Sequence, residues 1–168
     1  MKTHQALHYT NQINRKIGNI ICWLPLIMVL LQFTIVIMRY VYGTGSLILQ
    51  ESMLYMQGLL FMLAAAETLR RDAHVRIDIF YGKKSEKFRL WVDLLGSLFL
   101  LLPFSIFTFI ISYPYIRLSW MVREGSREAS GIEAVYLLKT SILLFALLLG
   151  LQAICSIASS ILHLRGQE

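Results

Sequence analysis

The side chains that could do chemistry in this chain stand at the ends of its apolar stretches. Arg39 closes the first such stretch, Glu51 opens the second and Lys139 opens the last. A lone carboxylate beside lipid is costly, so one reading pairs Glu51 with Arg39 or Lys139 and a second gives it a transport role. The alternative is that these side chains only reach outward to the headgroups. Histidine and cysteine offer less. His4 and His8 precede the first stretch, His74 lies in a polar connection and His163 ends the last stretch, so axial haem ligands between helices are not expected. Cys22 and Cys155 stand singly, with no C-x-x-C, and read as small buried hydrophobes rather than a redox pair. No metal-spaced Cys/His/carboxylate cluster, phosphate-cradling glycine loop or nucleophile beside a base occurs in the sequence. Neither catalysis nor a cofactor is expected.

What must position these residues is set by composition. Hydrophobic residues make up 57% of the 168 and charged ones 15%, against about 45 to 50% and about 25% in soluble domains. An all-α integral membrane protein follows. Uncharged runs cover 17–38, 52–66, 94–116 and 140–164. At about 1.5 Å per residue, roughly 20 residues cross a hydrocarbon core of about 30 Å. The expectation is one domain over 1–168, a bundle of four transmembrane helices with spans near 17–39, 47–69, 91–116 and 138–163. The first run sits behind sixteen mostly polar residues and lacks a small-x-small cleavage site, so it reads as a retained anchor.

Basic residues set the expected orientation. Lys2, Arg15, Lys16, Arg70, Arg71, Arg76, Lys83, Lys84, Lys87, Arg89 and Arg165 fall on one side, and Arg39, Arg117, Arg123, Arg127 and Lys139 on the other. The richer side is expected to be cytoplasmic, with both termini there. The net charge of +6 then reflects topology and the anionic leaflet of the lipid bilayer. A basic face with interleaved aromatics on a soluble domain is missing, so nucleic acid is not an expected partner.

Within the runs, Pro25, Pro103 and Pro114 predict kinks that neighbouring helices can tolerate. Glu51, Gly58 and Ala65 recur every seven residues, and Ala146 and Gly150 are four apart. Each set marks a helix face for close packing, against this chain or a partner. No charged residue occupies the middle of a run, and no Gly/Pro-interrupted half-helices recur in matching halves, which disfavours an autonomous transporter; a homo-oligomeric small carrier or channel stays as the alternative, ahead of a membrane oxidoreductase subunit.

The connection between spans two and three is the most distinctive stretch. Glu67, Arg70, Arg71, Asp72, Arg76 and Asp78 alternate in sign, as ion pairs fixing a shape would. His74, Val75, Arg76, Ile77, Asp78, Ile79 and Phe80 alternate apolar and polar side chains, which predicts an extended segment. Ser85 is placed to cap a short amphipathic helix carrying Trp91 and Asp93 into span three. Between spans three and four, Arg117, Trp120, Arg123, Arg127 and Glu128 form a mixed-charge segment. Such a segment suits docking of a soluble protein equally with a solvated loop anchored by Trp120.

A four-span chain with an acidic residue opening span two, an arginine shortly before H-V-R-I-D and W-x-D-L-L-G leading into span three resembles the small, DctQ-like membrane subunit of tripartite ATP-independent periplasmic (TRAP) transporters. The matching residues are Glu51, Arg70 or Arg71, His74, Val75, Asp78, Trp91, Asp93 and Gly96. The resemblance implies a bacterial inner-membrane complex in which a periplasmic solute-binding protein captures an organic acid. It also implies a large membrane subunit holding substrate and sodium sites, braced by the small subunit. On that basis Glu51, Glu67, Arg70, Arg71, His74, Arg76, Asp78, Trp91 and Asp93 would serve structure and the partner interface. Arg39, Arg117, Trp120, Arg123, Arg127, Glu128 and Lys139 would form an outer docking surface. Where two adjacent acids often open span two in that family, this chain has Gln50 and Glu51, which puts a paired-carboxylate role in question.

Overall fold

Backbone that enters lipid must satisfy its own hydrogen bonds, and the helix does so within each segment. The computed structural model describes residues 2–71, 86–128 and 130–164, and all its regular elements are helical. These are α1 (Lys2–Ile21), α2 (Leu24–Tyr40), α3 (Leu47–Arg70), α4 (Glu86–Gly96), α5 (Leu102–Met121) and α6 (Val135–Leu164), with a π-helical stretch Ser97–Leu101 between α4 and α5. They make four runs long and apolar enough to cross a membrane: Tyr9–Tyr40, Leu47–Arg70, Lys87–Met121 and Val135–Leu164. The extended segment expected around His74, Arg76 and Asp78, and the Ser85 cap, lie outside the described residues.

Three runs start before the expected spans, at Tyr9 against 17, Lys87 against 91 and Val135 against 138. The polar lead-in before residue 17 is helical, and α1 packs on α3 and α6. Its apolar residues are interleaved with polar ones at helical spacing, so no uncharged run announces it. The third run likewise begins at Lys87 because α4 is amphipathic.

Proline explains where the helices depart from regularity. α1 ends at Ile21, and α2 restarts after Trp23 with Pro25 in its first turn, where the missing N–H costs nothing. Pro103 follows the π-helical stretch, in which the Leu102 N–H reaches back five residues to the Ser97 carbonyl. A regular turn would drive the proline ring into the carbonyl four residues earlier, and the wider turn makes room. Pro114 lies inside α5, which continues through it.

α6 is the centre of the bundle. In its most apolar window 39% of residues are buried, against 6%, 0% and 11% for the other three runs. It touches α1, α3, α4 and α5, and Ala146, Leu148, Leu149, Ala153 and Cys155 form much of the core. The small-residue faces meet helices of this chain. A Cβ on Gly58 would stand 3.0 Å from Leu138 Cδ1, and one on Gly150 would stand 3.0 Å from Ser105 Oγ. Without those side chains α3 and α5 approach α6 closely, the packing that replaces hydrophobic drive in lipid. Large side chains such as Phe33, Phe61, Phe99, Leu100 and Phe107 point outward.

Candidate functional site

Polar residues gather at both ends of the bundle. At the end holding the start of α3 and α6, the described residues of the loop 122–134 form no helix or strand, yet several of them are tied to the neighbouring helices. Glu51, in the second turn of α3, accepts a hydrogen bond from the Ile132 N–H at 2.5 Å and another from the Ser126 hydroxyl. One turn further along α3, Tyr55 donates its hydroxyl to the Ile132 carbonyl at 3.3 Å. Both faces of a single peptide residue are thus gripped by an i,i+4 pair.

The same loop is anchored at its other side by Glu124. Its carboxylate pairs with Lys139 of α6 and accepts from Ser119 of α5 at 2.7 Å. The Lys139 ammonium also stands 4.0 Å above the Tyr115 ring, a cation–π contact. Hydrogen bonds from Lys139 first, and from Ser119 second, hold the Glu124 carboxyl below its ordinary pKa. Trp120 donates to Thr140 at 2.9 Å and meets the Tyr136 ring edge-on at 4.7 Å.

At the opposite end, Glu67 is buried near the last turn of α3 and accepts from Arg70 at 2.6 and 2.8 Å and from Arg71 at 2.5 Å. The i,i+3 and i,i+4 spacings bring both guanidinium groups over the carboxylate. The other wall of this cluster is α1, where Gly18 lets the Glu67 side chain lie against the backbone. Nearby on α1, buried Asn14 donates to Gln152 of α6 at 2.7 Å. Its own Oδ1 and that of Asn11 are buried without a partner among the described residues.

The expected ionic contacts are therefore redistributed. Lys139 pairs with Glu124 rather than Glu51, while Arg39 lies exposed at the end of α2. Glu51 is held by uncharged donors, because the loop brings a hydroxyl and a peptide N–H to it. Of the other residues in the mixed-charge segment, Arg117, Arg123, Arg127 and Glu128 are exposed, and Trp120, exposed too, is bonded to Thr140 and stacked edge-on against Tyr136. Trp91 is exposed on α4, and Asp93 lies partly buried on the same helix. His74, Arg76 and Asp78 lie outside the described residues. Hydropathy and charge do not single out Tyr55, Ser126, Gly131, Asn14, Gln152 or Gly18. Tyr55 does carry a signal in its four-residue spacing from Glu51, and Asn14 and Gln152 carry one in being amides at helical positions facing the core.

These contacts tie helices and a loop together within a multi-pass membrane protein, and among the described residues no group of three His, Cys, Asp or Glu could hold a metal ion. No curated protein and no solved structure matches the chain. The family described as tripartite ATP-independent periplasmic transporters, DctQ component, matches residues 28–163, which take in both carboxylate clusters. The chain therefore belongs to the DctQ family, the small membrane subunit of tripartite ATP-independent periplasmic transporters.

Proposed function

We propose that this chain is a non-catalytic scaffold in a sodium-coupled importer of an organic acid in the bacterial inner membrane. A large membrane subunit moves the solute, and a periplasmic solute-binding protein delivers it. Both termini face the cytoplasm, the orientation favoured by the basic residues at the Arg15, Arg70 and Lys87 end.

One observation carries the reading. The acidic residues Glu51, Glu67 and Glu124 are each engaged by donors of this same chain at the ends of the bundle, and the large apolar side chains along α2 and α5 point outward. A carrier needs polar groups presented to a solute near the membrane centre. A brace needs a stiff frame with apolar flanks for lipid and a larger partner.

Arg117, Arg123 and Arg127 outnumber Glu128 and Glu133 among the exposed charges at the loop end, since Lys139 already engages Glu124. That balance suits docking of a soluble protein through an acidic patch, with rim charges steering the encounter. Deleting the chain should abolish uptake in cells, and the purified chain should bring down a larger membrane protein in stoichiometric amount. Ion-dependent uptake by this chain alone in liposomes overturns the scaffold.

A further inference from the structure

We propose that Glu51 and Tyr55 are positioning residues: together they latch the loop 122–134 onto α3 and hold it in the shape it presents to a partner. That partner is the soluble binding protein of the proposed function, on which this second half rests. A connection of this length with no helix or strand of its own is normally among the most mobile parts of a fold. Among its described residues, the Val122 and Arg123 N–H groups cap the end of α5 at the Leu118 and Trp120 carbonyls. The Glu124 N–H reaches the Ser119 carbonyl, the Gly131 N–H reaches Glu128 and the Ala134 N–H reaches Ile132. What fixes the middle of the loop comes from α3.

Three features make the latch specific. First, Glu51 and Tyr55 hold the N–H and the carbonyl of the same residue, Ile132, so neither of the two peptide groups flanking its Cα can rotate without losing a bond. Second, the carboxylate reaches across to Ser126, whose hydroxyl oxygen in turn accepts the Glu128 N–H at 3.2 Å. Glu51 therefore organises both limbs of the loop. Third, the junction has no room for a side chain at position 131. A Cβ on Gly131 would collide with Ser126 and would stand 2.6 Å from Glu51 Oε1. Both limbs would have to move, so the glycine is a requirement of the latch.

Arg123 and Arg127 lie within the loop so held, and Glu128 beside them. Freeing Ile132 and Ser126 lets these charges wander while α3, α5 and α6 keep their mutual packing. The latch accordingly alters recognition without altering assembly.

The test uses the assembled transporter in nanodiscs, with amide hydrogen exchange over 126–134 and uptake titrated with the soluble binding protein in parallel. Replacing Glu51→Ala should speed exchange at Ile132 on the order of tenfold or more, the scale of one lost hydrogen bond to a charged group. Glu51→Gln, which keeps an acceptor, should recover part of that protection. Gly131→Ala should mimic Glu51→Ala while leaving the carboxylate in the sequence, by displacing it and Ser126, and Tyr55→Phe should give a smaller effect. In each, the half-saturating concentration of binding protein should rise while maximal uptake and co-purification hold. Unchanged exchange at Ile132 in both Glu51→Ala and Gly131→Ala overturns the latch. Faster exchange with an unmoved half-saturation confirms the latch and overturns the docking surface instead.

Discussion

Gly18→Ala is the sharpest test of the packing between α1 and α3. A Cβ at position 18 would run into Glu67 Cγ and stand 3.0 Å from Cδ and 3.2 Å from Cβ of the same side chain. Glu67 cannot swing aside, because Arg70 and Arg71 hold both carboxylate oxygens and the residue is only 6% exposed. Overpacking of this kind costs about 1–3 kcal/mol. Against it, alanine is favoured over glycine inside a helix by about 1 kcal/mol. The clash should win in the native background, so Gly18→Ala lowers stability.

The balance reverses once Glu67 is truncated. In a Glu67→Ala background the obstacle is gone and only helix propensity remains, so Gly18→Ala should then stabilise by roughly 0.5–1 kcal/mol. The four proteins of the cycle, unfolded in mixed micelles, should give a coupling on the order of 1–3 kcal/mol. Additive effects, or a more stable Gly18→Ala in the native background, would refute the contact.

The Glu124 carboxyl has a lowered folded pKa, so its contribution is present above the ordinary carboxylate pKa and lost as pH falls through the lower folded value. The protection of amides near residues 122–124, taken relative to their intrinsic exchange at each pH, should therefore hold from neutral pH into the mildly acidic range and fall only below it. Lys139→Met should move that loss of protection to higher pH, and an unmoved onset would contradict the pairing. Replacing Gln152→Leu removes the acceptor of the Asn14 amide and should cost about 1–2 kcal/mol. Adding Asn14→Leu should recover most of the loss, because replacing both partners leaves neither member of this pair buried and unmet; a double variant as unstable as the single would contradict this.

The ion pairs of the α3 terminus are legible in the sequence, because residues three and four apart must share a helix face. Glu67, Arg70 and Arg71 satisfy that rule within one turn of chain. The close-packing faces at Gly58 and Gly150 are legible for the same reason, although the helices they meet are not. Glu51 stands out in the sequence as a carboxylate in need of partners, yet the partners that charge suggests for it are cations. A search for opposite charge cannot find a serine 75 residues away and a peptide N–H 81 residues away.

α1 illustrates the same limit from another side. Counting uncharged residues finds helices wetted by lipid all round, but α1 buries one polar face at Asn14 and exposes another at Arg15 and Lys16. Its place depends on Gly18, which admits Glu67 against its backbone, and on Gln152, which meets it from α6. By itself, then, the sequence determined the membrane class, the number of spans and the helical ion pairs, all properties of hydropathy and spacing that act within a few turns. Only the tertiary structure decided which donors each carboxylate takes and how the loop 122–134 is held, because a peptide N–H carries no residue identity and reaches its acceptor only after the chain has folded back on itself.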